Sequence, residues 1–406
     1  MEGNTAWVLI STALVLFMTP GLAFFYGGMV RSKNFLAMLM QNFFAMGLLA
    51  VLWTLVGYSL AFGNAGDGGW IGNLDFIGLK DVGMVGSDGA IPPILFAAFQ
   101  MTFAIITPAL ITGATADRLK FAGYSVFIGA WLLLVYAPVA HWAFAGGWIA
   151  DMGALDFAGG LVVHINAGAA ALGVLLVIGA RKGHGKEIMA PHALPWTLLG
   201  TGILWFGWFG FNAGSALAAD GIAAQALMNT IIAPAAAMLG WLLVERIKGK
   251  HVTTLGAASG AVAGMVAITP CAGFVATMPA LIVGFAAGVI CYLALFIKEA
   301  AKLDDALDVL AVHLVGGLFG SIALGLFADS KINGLVEHEG LFISGGGADL
   351  LVDQIVASVA VFAFSLVVSF VIAKVIDVTM GLRVSPEVED AGLDQSLHAE
   401  TAYISL

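Results

Sequence analysis

Apolar runs long enough to cross a bilayer recur along this chain from end to end, and that commits it to a membrane. A crossing helix needs about 20 predominantly apolar residues. Such runs lie near Trp7–Phe25, Leu36–Phe62, Ile94–Ala114, Phe121–Ala140, Ala158–Ala180 and Trp196–Ala218. A second series lies near Ile222–Val244, Leu255–Ala272, Ala280–Ile297, Val309–Ala328 and Leu350–Ile376. Of the 406 residues, 60% are hydrophobic and 10% charged, against roughly 25% charged in a soluble domain. In lipid each backbone polar group must bond inside its own segment or a closed barrel. Runs of this length therefore predict helices, in an all-α polytopic protein of eleven spans.

The few charges orient it. Of the 16 Lys and Arg, all but Lys80 and Lys331 fall after odd-numbered spans or in the tail: Arg31, Lys33, Arg118, Lys120, Arg181, Lys182, Lys186, Arg246, Lys248, Lys250, Lys298, Lys302, Lys374 and Arg383. Basic loops stay on the cytoplasmic side, which predicts an external N-terminus and a cytoplasmic C-terminus. The opposite loops are acidic, with Asp67, Asp75, Asp81, Asp88, Asp329, Glu337, Glu339 and Asp349. Such a face weakly enriches cations. No basic n-region precedes Trp7, so no separate signal peptide is expected. Residues 1–376 read as the transmembrane domain and 377–406 as a polar cytoplasmic tail, either solvated or docked as a regulatory element. Cys271 and Cys291 provide neither a disulfide framework nor a metal site. No cofactor or nucleic-acid motif is present.

Two histidines, His164 and His313, lie deep within apolar runs, each eight residues after an aspartate (Asp156 and Asp305). A polar ring in hydrocarbon needs a partner, and intramembrane ionisable groups are functional by default. Either the two rings satisfy each other in a greasy tunnel, or each is held separately by a carbonyl or hydroxyl. A metal site lacks a third ligand beside them. An odd number of spans per half inverts the second half relative to the first, as in many transporters. Spans one to five and six to ten therefore read as an inverted five-helix repeat plus an eleventh helix. Each histidine falls in the last span of its half. Gln100 and Asn166, both polar and inside spans, read as helix–helix hydrogen-bonding groups.

Several ordered stretches resemble the Amt/Mep/Rh family of ammonium transporters, in its Amt branch. They are TALVLFMTPGLAFFYGGMVRSKN, AFQMTFAIITPALITGATADRLKF, GALDFAGGLVVHINAG, GWFGFNAGSA, DVLAVHLVGG and a GLRV-led tail, spread from about Thr5 to Tyr403. The resemblance implies an ammonium channel or transporter, not an enzyme. It implies a multi-pass protein of the cell inner (plasma) membrane, a homotrimer with one pore per protomer, no cofactor, and a PII-type signalling protein as cytoplasmic partner. It places Phe103, Phe211, Ser215 and Phe144 around an outer vestibule and gate, and Asp156 at the pore mouth. Ser259 falls near the pore, with His164 and His313 inside it. Cation–π attraction plus one or two acceptors suits ammonium. Phe211 and Ser215, four apart, are expected to put a ring and a hydroxyl in one site.

Phe144 departs from the family, which carries tryptophan there; Ala145 replaces a glycine. A smaller π face predicts weaker recruitment, and the spacing does not favour Trp142 or Trp148 as a substitute. Asp156 can also cap the fifth helix. Two other readings stay open: an ammonium sensor that signals through its tail, and a neutral ammonia channel of the Rh type.

Overall fold

The computed structural model describes residues 2–66, 69–87, 89–249 and 251–403. Asp67, Asp88 and Lys250 of the charge map lie outside the described residues. The helices are α1 Glu2–Met29, α2 Ser32–Phe62, α3 Pro93–Thr115, α4 Phe121–Asp151 and α5 Gly160–Ile178. There follow α6 Leu194–Trp208, α7 Gly221–Ile247, α8 Thr254–Ile268, α9 Thr277–Ala300, α10 Leu310–Phe327 and α11 Asp349–Met380. Two short helices, α12 Pro386–Ala391 and α13 Leu393–His398, close the chain. No strand forms among the described residues; Leu119 and Arg383 make one isolated bridge.

Each apolar run of the sequence falls on one of α1 to α11, but only nine helices among the described residues have the length and hydropathy to cross a membrane. The other two are interrupted. The α8 helix is 15 residues long, about 22 Å at 1.5 Å per residue, and short of the ~30 Å hydrocarbon layer. It stops at a turn whose Pro270 packs against Gly160, where a Cβ would clash with the ring. The α6 helix loses regular geometry after Trp208, passing through a π turn, Phe209–Ala213, and a 3₁₀ turn, Gly214–Ala216.

Packing runs through small residues. The α1 helix lies along α6, α7 along α9 and α11 along α5. The α7–α9 approach requires glycine: a Cβ at Gly288 would overlap the Ala237 carbonyl. With no hydrophobic force between helices in lipid, such close backbone contact is what binds them. Both deep histidines sit in π turns, Gly160–Ile165 and Leu310–Val315, a local widening that recurs at functional sites.

The basic loops and tail meet at one end of the bundle. Asp117 bonds Arg31 at 3.0 Å, and Asp304 holds Arg181 in a fork at 2.7 to 3.2 Å. The tail is docked there: Asp394 accepts the amides of Leu36 and Ala37 at 3.0 and 2.8 Å. Leu393 donates to Asn34 Oδ1 at 2.8 Å. Tyr403 Oη meets His192 Nε2 and Trp196 Nε1 at 2.9 and 3.2 Å.

Candidate functional site

Two cavities, one wide and one narrow, meet across a pair of phenylalanines. The wide one opens at the acidic end. Phe96, Phe99, Gln100 and Phe103 line it from α3, Phe144 from the end of α4, and Phe157, Ser215, Leu217 and Leu335 from loops and turns. Its volume is about 260 Å³, room for a hydrated ion. The narrow one is almost wholly apolar, walled by Met18, Leu22, Phe25, Ile106, Leu110, Leu204, Trp208 and Phe211 around the two histidines. It offers about 10 Å³, enough for roughly one water-sized molecule. Between them the Phe103 and Phe211 rings stand 4.3 Å apart, centroid to centroid, tilted 38°. Both are buried.

The histidines satisfy each other. His164 Nδ1 and His313 Nδ1 lie 3.3 Å apart, with ring centroids at 5.3 Å and planes at 24°. One Nδ1 must carry the shared proton and the other accept it, so two imidazolium rings, with donors on both nitrogens, cannot keep this bond. Trp208 stacks on His164, centroids 5.6 Å apart, and its Nε1 donates to Thr269 Oγ1 at 2.9 Å. His164 Nε2 is buried with no partner among the described residues. The sequence reading missed Trp208. It lies three before Phe211 in GWFGFN, and that helical spacing was the available signal.

Asp156 is a cap. Its Oδ1 accepts the amides of Gly159 and Gly160 at 2.8 and 2.6 Å, and its Oδ2 those of Leu161 and Val162 at 2.8 and 3.2 Å. Gly159, at φ 115°, turns its amide inward in a conformation that a side chain would strain. Asp156 itself does not line the wide cavity; Phe157 does. Asp305 does the same for α10, accepting Val309 N at 3.1 Å and Leu310 N at 2.7 Å.

Three site expectations change. Phe211 and Ser215 line different cavities: Phe211, within the π turn, lines the narrow one, and Ser215, within the 3₁₀ turn that follows, lines the wide one. Ser215 Oγ donates to Phe211 O at 2.7 Å, which leaves its lone pairs facing the cavity. Ser259 lies apart from both cavities, in a third at the basic end with Glu245, Glu299 and Asp308. Among the described residues the Gln100 side chain bonds no other helix, and its Oε1 is buried without a partner. Asn166 Nδ2 donates to Val162 O in its own helix, its Oδ1 is buried without a partner among the described residues, and its backbone carbonyl accepts Ser365 Oγ of α11 at 2.7 Å. Trp142 and Trp148 pack on Trp70 and on each other, away from the wide cavity.

At the basic end, burial works to raise the Asp304 carboxyl, but the Arg181 hydrogen bonds and the charges of Arg118 and Arg181 outweigh it and hold it at about 2. His184 Nδ1 adds a contact at 3.1 Å.

A narrow, histidine-lined cavity inside a bundle of apolar helices long enough to cross a membrane suits a membrane transport protein for a small cargo. The Ammonium Transporter Family matches residues 6–403. The ammonium transporter of Mycobacterium tuberculosis is 50% identical over 435 residues, covering 99% of this chain and 90% of the relative. Amt1 of Archaeoglobus fulgidus is 46% identical over 402 residues, covering 99% of each. Among solved structures, Candida albicans Mep2 superposes with a TM-score of 0.87 at 34% identity, covering 95% of this chain and 87% of that one. A structure titled "Sensor Amt Protein" gives 0.90 at 28% identity, covering 99% and 98%. The chain belongs to the ammonium transporter family.

Proposed function

We propose that this chain transports ammonium nitrogen across a cell's inner (plasma) membrane, taking in the cation from outside and passing it inward as ammonia. The observation that carries this is the narrow histidine-bearing cavity behind a closed ring pair. A bare ammonium ion in that apolar space would face a desolvation cost of several kcal/mol. Losing a proton removes most of it. In this reading all eleven helices cross the membrane, with the N-terminus outside and the basic end and tail cytoplasmic. The wide cavity is the outer vestibule, where the faces of Phe103 and Phe144 and the Ser215 lone pairs receive the cation. Phe103 and Phe211 are the gate. Asp156, through the helix start it fixes, shapes the field at the mouth. His164 and His313 share one proton and relay another, with ammonia lodged beside them. Ser259 acts at the cytoplasmic exit.

The matching Asp–π-turn–His ends of α5 and α10 support an inverted five-helix repeat. The reading also includes a homotrimer with a pore in each protomer, and residues 377–406 as a regulatory tail. Its docked face would meet a PII-type signalling protein. The full-length likeness to a protein titled as a sensor keeps one rival: binding without conduction.

Proteoliposomes on a solid-supported membrane test both. Ammonium jumps should evoke uptake current or internal pH change where sodium jumps do not. His164→Ala and His313→Ala should each abolish or alter that signal while the protein stays a folded oligomer. If both variants carry wild-type flux, the paired-histidine route is wrong. A silent wild type would favour the sensor.

A further inference from the structure

We infer that α11 splints the pore-lining segment of α5, and that Gln354 and Ser365 are the positioning residues through which it does so. This rests on the ammonium reading above and gives a task to the one helix outside the two five-helix halves.

Gln354 and Ser365 lie about three turns apart on α11 and so share a face. Both are buried, whereas Val352, Val356 and Val359 on the opposite face are exposed. Gln354 is 0% exposed, and its oxygen and both N–H groups are used on backbone. Its Oε1 accepts Leu155 N at 2.8 Å, and its Nε2 donates to Leu155 O at 2.9 Å and to Ser321 O of α10 at 3.2 Å. Leu155 precedes α5 in irregular chain, and Gln354 serves both its amide and its carbonyl. A methionine would fill the same space without burying an amide. What the glutamine adds is its grip on the loop.

The next residue is Asp156, whose carboxylate caps α5, and beyond it Phe157 N donates to Pro270 O at 3.2 Å. Asp156 is therefore held from both flanks, by α11 on one side and by the turn after α8 on the other. Further in, Ser365 Oγ donates to Asn166 O at 2.7 Å, two residues beyond His164. Between the two grips lies the π turn Gly160–Ile165. A π turn gives up the i→i−4 bonds that stiffen a helix, so the ring it carries is placed by whatever holds the chain before and after it. Polar side chains that bond across helices are the available fastening in lipid, and α11 supplies one at each end.

The test is Gln354→Met, which keeps the length and removes all three bonds. Half-saturating ammonium concentration and maximal current are read in proteoliposomes. The freed loop carries Asp156 and also Phe157, on the wall of the wide cavity. The half-saturating concentration should therefore rise by roughly fivefold or more, the equivalent of one net hydrogen bond. A smaller folded fraction would lower the maximal current and leave that concentration where it was. A wild-type half-saturating concentration in Gln354→Met overturns the positioning role. Should that variant not yield a monodisperse oligomer, Ser365→Ala replaces it. Its maximal current per folded oligomer should fall by roughly fivefold, and Ser365→Thr, which keeps the hydroxyl, should restore it. A wild-type current in Ser365→Ala, or no recovery in Ser365→Thr, overturns the role likewise.

Hydrogen exchange in nanodiscs reads the splint without transport. Peptides spanning residues 155–166 should exchange roughly fivefold faster in the variant than in the wild type, with α7 and α9 unchanged. If the wild type carries no current yet this contrast appears, the transport reading fails and the splint stands. If the segment exchanges alike in the two proteins, or every helix speeds up together, the splint falls.

Discussion

Asp156→Asn separates two roles that one carboxylate can hold. The native side chain accepts four amides, two on each oxygen, at 2.6 to 3.2 Å. Asparagine keeps one carbonyl oxygen and turns an NH₂ group toward the other two amides, so two donors lose their acceptor and face a third donor. Each orphaned, partly buried donor costs about 1–3 kcal/mol, about 2–6 kcal/mol for the pair. Rotation that lets the remaining oxygen share its bonds brings the sum toward the low end, about 3 kcal/mol. The loss of favourable charge at a helix N-terminus adds about 0.5 kcal/mol. The purified protein should therefore unfold several degrees below wild type, and the start of α5, which carries His164, should loosen with it. Asp156→Glu retains two oxygens and should recover part of the loss. A wild-type unfolding midpoint for Asp156→Asn would refute the capping argument. A lowered midpoint with unchanged ammonium flux and half-saturation would leave the cap intact and remove any role for its charge at the pore mouth.

Phe144→Trp enlarges the π face on the wall of the wide cavity and should lower the half-saturating ammonium concentration by up to about tenfold, the equivalent of about 1–2 kcal/mol; slower release should reduce the maximal rate. An unchanged value would show that the ring at 144 does not meet the cation. Asp304, held at about 2 against an unfolded value near 3.9, binds fewer protons folded than unfolded. It therefore stabilises the basic end fully above about pH 4, and that contribution is lost as pH falls through 2. Thermal unfolding between pH 6 and 3 should show the loss beginning, and Arg181→Gln, which removes the forked partner, should flatten the profile; parallel profiles for the two proteins would contradict the assignment.

What could be read from the sequence follows from what lipid forbids. Runs without charge could only be helices, so every helix from α1 to α11 was visible, and a buried imidazole announced itself because hydrocarbon offers it no water. The contacts that were misread share one cause. Spacing rules assume a regular helix, and the residues nearest the pore are not in one. Phe211 lies in a π turn and Ser215 in the 3₁₀ turn after it, and the ring and the hydroxyl line separate cavities. The break after Ile268 has a local signal in Pro270, which cannot continue a helix, whereas the break after Trp208 falls in a run with no proline. Gln100 and Asn166 look alike in sequence, each a lone amide in an apolar run. They diverge at the nitrogen: Asn166 Nδ2 reaches the carbonyl one turn back, whereas the Gln100 side chain lines the wide cavity. The docked tail was undecidable for a related reason. Asp394 reads as a solvated charge until α2 offers its two free N-terminal amides, a partner more than three hundred residues away in the chain. In a membrane protein of this kind, hydropathy specifies where the helices are. The residues around the histidine cavity lie at the few places where a helix departs from regular geometry, His164, Phe211 and His313 each in a π turn.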